Sequence, residues 1–91
     1  MKPVLVTTKH RGVFFGYLNG EATQDTLTLS KARNCIYWDT ETKGFLGLAV
    51  TGPRSGCRVG PAVDELTLYD VTSIVGCTDD AVKAWEAAPW S

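Results

Sequence analysis

Val4-Leu5-Val6-Thr7-Thr8-Lys9 opens the stretch that decides the fold, which extends to Trp38. Its β-branched and apolar residues are typical of strands, and glycines separate the runs. The second run, Val13-Phe14-Phe15-Gly16-Tyr17-Leu18, is followed by Asn19-Gly20, a pair typical of tight turns because both residues tolerate positive φ. The third, Thr26-Leu27-Thr28-Leu29-Ser30, alternates polar and apolar residues. This alternation predicts a strand with one buried face.

A fourth β-rich run, Cys35-Ile36-Tyr37-Trp38, precedes a polar turn from Asp39 to Gly44. Connections as short as these predict antiparallel neighbours, because a parallel pair needs a crossover of about a dozen residues or more. Gly16, in the middle of the second run, predicts a bulge or a sharp bend. The expected architecture is mainly β: a small, strongly bent antiparallel sheet or open barrel.

The second half of the chain predicts more strands. Phe45 to Val50 is an apolar run of strand length, and the glycine- and proline-rich segment from Thr51 to Pro61 predicts a surface loop or a wide hairpin. Leu66 to Tyr69 and Val71 to Val75 predict two strands separated by a kink at Asp70. The alternative is that Asp70 is a charged, inward-pointing residue on an edge strand.

One helix is expected, at the C-terminus over about residues 78–88. Thr78 is a suitable N-cap, Asp79 and Asp80 complement the helix dipole in the first turn, and Pro89 ends the helix. The apolar stripe predicts that Trp85 packs onto the sheet. That stripe consists of Ala81, Val82, Ala84, Trp85 and Ala88.

Composition narrows the functional classes. The 91 residues predict a single domain over 1–91, and 44% of them are apolar, which is close to the globular norm. A net charge of −1 argues against a strong non-specific binder of nucleic acid. The N-terminal residues enter a strand directly, without a signal-peptide core or an apolar run near the ~18 residues that a membrane span needs, so a cytosolic protein is expected.

The three cysteines, Cys35, Cys57 and Cys77, are far apart in sequence, and His10 is the single histidine. An odd number of cysteines in a cytosolic chain indicates free thiols. No metal site and no cofactor are expected. A cysteine nucleophile with His10 as its base lacks an orienting third group, and the carboxylates are dispersed, so the sequence does not predict an enzyme.

A group of basic residues is the main candidate site. If the ends of the predicted hairpins converge on one rim, these side chains form an anion-binding pocket, since the guanidinium fork grips phosphate or carboxylate through two hydrogen bonds. The alternative is an ordinary scatter of solvated turn charges. The group comprises His10 and Arg11 in one predicted turn, Lys31 and Arg33 in another, and Arg54 and Arg58 in the glycine-rich loop. The predicted ligand-binding residues are Arg11, Arg33, Arg54, Arg58 and, as a stacking surface, Trp38.

The sequence leaves the roles of Trp38 and Trp90 open between two possibilities each. Trp38 fits either the core or a stacking surface, and Trp90, beyond Pro89, fits either a lid or an interface anchor.

The stretch from Val4 to Leu29 resembles the Sm-like group of small, SH3-like β-barrels in its order of apolar strand, glycine turn, strand bent at a glycine, and Leu-x-Leu strand. The resemblance implies the barrel but not the RNA site of that group. Thr26 stands where the group has an asparagine, Val75-Gly76 stands where it has Arg-Gly, and the predicted helix follows the barrel instead of preceding it.

Most of the chain resembles a family of small, uncharacterised phage and prophage proteins. That resemblance implies a viral origin and action in the cytoplasm of a host bacterium, and small phage proteins often neutralise a host defence component or its signal molecule. The segments that carry it are Val4 to Thr8, His10 to Phe14, Leu27 to Leu29, Ala32-Arg33, Ile36-Tyr37, Ala49 to Pro53 and Asp70 to Thr72.

These observations lead to one hypothesis and two alternatives. The first is a non-enzymatic phage counter-defence protein that occupies a host protein or sequesters an anionic, nucleotide-like molecule. The alternatives are an Sm-like nucleic-acid-binding barrel and a structural or assembly protein of the virion. Edge strands of a small sheet also favour pairing between copies, hence a homo-oligomer.

Overall fold

The computed structural model describes residues 2–9, 12–20, 23 and 26–89. These residues form a mainly β fold with two helices, and every strand pair is antiparallel, as the short connections predict. The elements are β1 (Lys2–Thr8), β2 (Val13–Leu18), β3 (Thr26–Tyr37), a 3₁₀ turn (Thr40–Thr42), α1 (Gly44–Val50), β4 (Arg58–Val59), β5 (Val63–Tyr69), β6 (Val71–Gly76) and α2 (Asp79–Ala87).

The sheet is bent until its two ends approach each other. Its order is β4-β3-β2-β1-β6, and β5 pairs with the N-terminal part of β3. β5 and β6 therefore lie at opposite ends of the hydrogen-bonded order, yet only Asp70 separates them in sequence, with a φ of 54°. The predicted kink at Asp70 is confirmed. No ladder of the described residues joins β5 to β6, so the sheet is not closed.

β3 unites two runs that the sequence separates. Thr26–Ser30 and the run from Cys35 belong to one twelve-residue strand, so the turn predicted around Lys31 and Arg33 is wrong. Lys31 has a φ of 51° and lies where the β2–β3 register shifts. The bulge keeps the backbone in the ladder while it bends the strand.

Gly16 lies opposite this bulge. A Cβ atom at Gly16 would be 2.8 Å from the Leu29 Cβ, closer than Cβ atoms approach in real structures, and 3.3 Å from the Ala32 Cα, which is a tight contact. The prediction of an irregularity at Gly16 is confirmed, although the extra residue of the bulge is on β3.

The strand predicted for Phe45 to Val50 is wrong: this segment is helix α1, so there are two helices and not one. The adjacent residues Leu48 and Ala49 are both buried in one core cluster. A helix can place both on one packed surface, whereas a strand points them to opposite faces. Gly47 packs directly on the preceding 3₁₀ turn, since a Cβ there would lie 1.5 Å from the Thr42 carbonyl oxygen.

Two hydrophobic clusters lie on opposite faces of the sheet. The helices cover one face, and the bent strands enclose the other. The helix-side cluster contains Leu5, Val13, Phe15, Cys35, Leu48, Ala49, Val59, Ala81 and Trp85. The inner cluster contains Val4, Val6, Leu27, Leu29, Ala32 and Leu68.

α2 has the features that the sequence predicts. The Thr78 hydroxyl accepts a hydrogen bond from the Ala81 N–H (3.1 Å), so the N-cap is confirmed. Trp85 is fully buried; its ring stacks on that of Phe15 at a centroid distance of 5.1 Å, and its Nε1–H donates to the Leu48 carbonyl (3.0 Å). Among the described residues, neither helix has the length and apolar character that a bilayer crossing requires.

Candidate functional site

A cavity of about 250 Å³ opens where β2, the bulge of β3 and the end of α2 meet. It combines aromatic walls with charges of both signs. The lining residues are Phe15, Tyr17, Lys31, Arg33, Ala62 and Glu86.

Strand geometry brings the aromatic and basic residues to this cavity. Phe15 and Arg33 are direct cross-strand partners, so their side chains lie on the same face of the sheet. Tyr17 follows Phe15 by two positions and shares its face, and the two rings meet edge to face at 5.6 Å. Because the β3 bulge lies beside this pair, Lys31 also lines the cavity.

Arg33 is a buried cation, with 6% of its surface exposed. Its Nε donates to the Gly60 carbonyl (2.9 Å) and its Nη1 to the Trp85 carbonyl (2.6 Å). The latter is one of the last four carbonyls of α2, which lack partners within the helix. Burial lowers the pKa of Arg33, and no carboxylate is among the causes of that shift. Two backbone oxygens therefore hold the guanidinium, and no carboxylate among the described residues forms an ion pair with it.

Lys31 supplies the second positive charge. Its side chain is exposed, and its backbone has the left-handed conformation of the bulge. Lysine carries no preference for that conformation, whereas glycine or asparagine would adopt it at less cost. The fold thus holds a cation beside Arg33 on a locally unfavourable backbone.

Tyr17 and Glu86 form the acidic side of the cavity. The Tyr17 hydroxyl donates a hydrogen bond to the Glu86 carboxylate. Burial, followed by this hydrogen bond and the Glu86 charge, raises the pKa of Tyr17 to about 12. The phenol is therefore protonated at neutral pH, and its single O–H is engaged by Glu86 at the edge of the cavity.

The other predicted ligand-binding residues lie elsewhere or outside the described residues. Arg54 lines a separate cavity of about 340 Å³ beside α1, so Arg33 and Arg54 do not share a cavity. Arg58 is exposed on β4 opposite Tyr37. Trp38 is half-buried and packs against the helix-side cluster. The ligand-binding role of these residues stays a prediction, and His10, Arg11 and Trp90 lie outside the described residues.

The three thiols are free and belong to the helix-covered face. Burial raises the pKa of Cys35 to about 11, and that of Cys77 also to about 11. Cys57 is half-buried, with its Sγ 3.2 Å from the Thr42 hydroxyl. Cys35 and Cys77 are thus protonated at neutral pH, as small apolar side chains in a core are.

Sequence reasoning singled out Arg33 and Lys31 but missed Tyr17 and Glu86 as cavity residues. They are 69 positions apart, and no local pattern reports their contact. One available signal was the position of Glu86 next to Trp85, whose burial at the end of α2 brings its neighbour to the sheet.

No curated protein matches this chain, and no solved structure matches it. A family model matches residues 1–85, which is nearly the whole chain. This chain therefore belongs to the family described as Domain of unknown function (DUF6948).

Proposed function

We propose that this protein binds a small anionic molecule, without catalysis, in the cavity between Tyr17, Lys31, Arg33 and Glu86. The observation that carries the proposal is the environment of Arg33. Its guanidinium is almost completely buried, burial is what lowers its pKa, and it lines a cavity beside a second cation. An anion in this cavity would neutralise a charge that two neutral carbonyls solvate in the ligand-free protein.

The cavity also limits the ligand. Its volume of about 250 Å³ is slightly below the ~300–1,000 Å³ of typical small-molecule sites. It therefore suits the charged end of a ligand, such as a phosphate or carboxylate, with a ring against Phe15 or Tyr17. A nucleotide-like anion whose base extends beyond the cavity fits this description.

The biological setting of the proposal rests on the sequence resemblance to small phage and prophage proteins. In an infected bacterium, a protein that sequesters an anionic nucleotide-like signal would suppress the host defence that depends on it. Binding alone is sufficient for this action, and no residue needs to act on the ligand.

Arg33 also has a structural role, because its bonds to Gly60 and Trp85 connect β3 to the β4–β5 loop and to α2. A variant of Arg33 therefore reports on stability as well as on binding. A variant of Lys31 is expected to change ligand binding without changing stability, because the Lys31 side chain is exposed.

The test is a calorimetric titration with adenosine monophosphate and with inorganic phosphate as probes. We expect Lys31→Gln to weaken binding on the order of tenfold or more, the effect of losing one charged hydrogen bond. Lys9→Gln is the matched control: it removes the same charge from an exposed residue that is not among those lining the cavity. Glu86→Gln is expected to strengthen binding, because it removes a carboxylate that repels the anion.

Two results would overturn the proposal. One is the absence of binding by either probe to the folded wild-type protein. The other is an equal loss of affinity in Lys31→Gln and Lys9→Gln, which would indicate general attraction of anions to a basic surface.

A further inference from the structure

The two free edges of the sheet differ in how they are protected. A free strand edge presents unpaired N–H and C=O groups, and proteins block it with charges, prolines or very short strands. On one side, β4 has only two residues, Pro61 follows it, and β5 contains Asp64 and Glu65. On the other side, β6 (Val71–Gly76) has six residues with no charge and no proline, and the one irregularity of its ladder with β1 is at Thr72, near its N-terminal end.

β6 pairs with β1 and with no other strand of the described residues. The Cys77 N–H donates to the Pro3 carbonyl, which fixes the direction of the ladder. Because hydrogen-bonding direction alternates along an antiparallel strand, the N–H groups of Ser73 and Val75 point to β1. Those of Ile74 and Gly76 point away from the sheet, whereas Thr72 is the extra residue where the β1–β6 register shifts.

We propose that this outer edge of β6 pairs with the same edge of a second copy of the chain, in an antiparallel, two-fold symmetric dimer. Outward-facing residues must meet outward-facing residues across such an interface. In the register that we propose, Ile74 lies opposite Ile74 of the partner and Ser73 opposite Val75 of the partner, so the new ladder uses the regular part of β6. This register leaves the charged Asp70 outside the new ladder.

The residues of β6 suit a copy of themselves. A two-fold axis places identical side chains face to face, so a charge at the centre would repel its own copy. Ile74 is instead apolar and 43% exposed, and pairing with its copy would cover it.

Sedimentation equilibrium of the full chain over a wide range of concentrations tests the dimer. We expect a monomer–dimer equilibrium in the wild-type protein. Ile74→Pro removes an outward N–H while the ladder to β1 is kept, and Ile74→Lys places two like charges opposite each other. Ile74→Pro is expected to raise the dimer dissociation constant about tenfold, because it removes two symmetry-related hydrogen bonds. Ile74→Lys is expected to raise it several-fold. Circular dichroism shows whether each variant is folded.

Val63→Lys is the matched control, because Val63 lies on β5 and has nearly the same exposure, 44%. It is expected to leave the dissociation constant unchanged. A wild-type protein that is monomeric at every concentration would overturn the proposal, as would assemblies larger than a dimer. An equal effect of Ile74→Lys and Val63→Lys would place the interface elsewhere. None of these results depends on anion binding.

Discussion

The two faces of the sheet are built differently. The inner cluster is aliphatic and comes entirely from strands that bend around it, whereas the helix-side cluster includes the stacked rings of Phe15 and Trp85 and both helices. Side-chain hydrogen bonds to distant backbone cross the helix-side cluster: Trp85 to Leu48, and Arg33 to Gly60 and Trp85. The inner cluster is stabilised by burial, and the helix-covered face by burial together with specific polar contacts.

This difference indicates which face can carry a binding site. A purely aliphatic cluster has no group that recognises a ligand, whereas polar groups held at fixed positions can do so. The candidate cavity lies at the margin of the helix-covered face, where Arg33 and Tyr17 are positioned by α2. The predictions below test how far the two faces are independent.

The largest loss of stability is expected from substitution of Trp85. Trp85→Ala should lower the free energy of unfolding by about 3–5 kcal/mol, because it removes the largest buried side chain of the helix-side cluster. Trp85→Phe keeps a ring against Phe15 and loses the bond to Leu48, so part of this loss should remain. Urea unfolding measures both. Leu29→Ala, in the inner cluster, is the comparison; a Trp85→Ala loss below about 1 kcal/mol would contradict the proposed importance of this cluster.

Gly16 tests the inner face. Gly16→Ala should cost about 1–3 kcal/mol, because the new Cβ would lie 2.8 Å from the Leu29 Cβ. Gly76→Ala is the control: it is also a strand glycine, and its nearest neighbour would be the flexible Lys2 side chain at 3.6 Å. Thermal unfolding followed by circular dichroism distinguishes them. Equal melting temperatures would show that the strands move apart easily at the bulge.

Thr78 tests the attachment of α2. Thr78→Ala removes the hydroxyl that accepts the Ala81 N–H and should cost about 1 kcal/mol in urea unfolding. Thr78→Ser keeps an acceptor at the same position and should recover most of this loss. If serine is no better than alanine, the hydroxyl does not act as a cap.

Alkaline pH is expected to destabilise the protein through ionisable groups on the helix-covered face. Cys35 and Cys77 have a pKa raised from 9.0 to about 11, so unfolded thiols ionise before folded ones. Stability is therefore unaffected below about pH 9 and falls as pH rises toward 11. Tyr17 adds a further loss between pH 10 and about 12.

Urea midpoints measured from neutral to alkaline pH would show this decline. A double variant with Cys35→Ala and Cys77→Ala should be less sensitive between pH 9 and 11. If the double variant loses stability with rising pH as steeply as the wild-type protein, groups other than Cys35 and Cys77 cause the loss.

Local pattern predicted the elements whose signal is local. The N-terminal part of β3, the kink at Asp70 and the cap at Thr78 follow from alternation, a polar break and a capping residue, respectively. The helix α1 could not be recognised, because a short apolar run fits a buried strand as well as a helix, and burial of Leu48 and Ala49 against α2 decides between them.

The candidate site was predictable only in part. Arg33 was predicted as a ligand-binding residue because its guanidinium can grip an anion. Its burial and its two carbonyl partners could not be predicted, because they depend on contacts with Gly60 and Trp85, 27 and 52 positions away. The expected meeting of Arg33 with Arg54 assumed that the chain turns at Lys31. The bulge instead continues the strand, and Arg54 lines a different cavity.

The place of β1 in the sheet has a consequence for synthesis of the chain. Leu5 pairs with Phe15 on one side and with Val75 on the other, so its two partners lie ten and seventy residues away in sequence. During translation the first strand acquires one neighbour early and waits for the second until the last strand has left the ribosome. The complete sheet therefore forms only after β6 has been synthesised, and a nascent chain that stalls before β6 exposes the edge of β1 to other nascent chains.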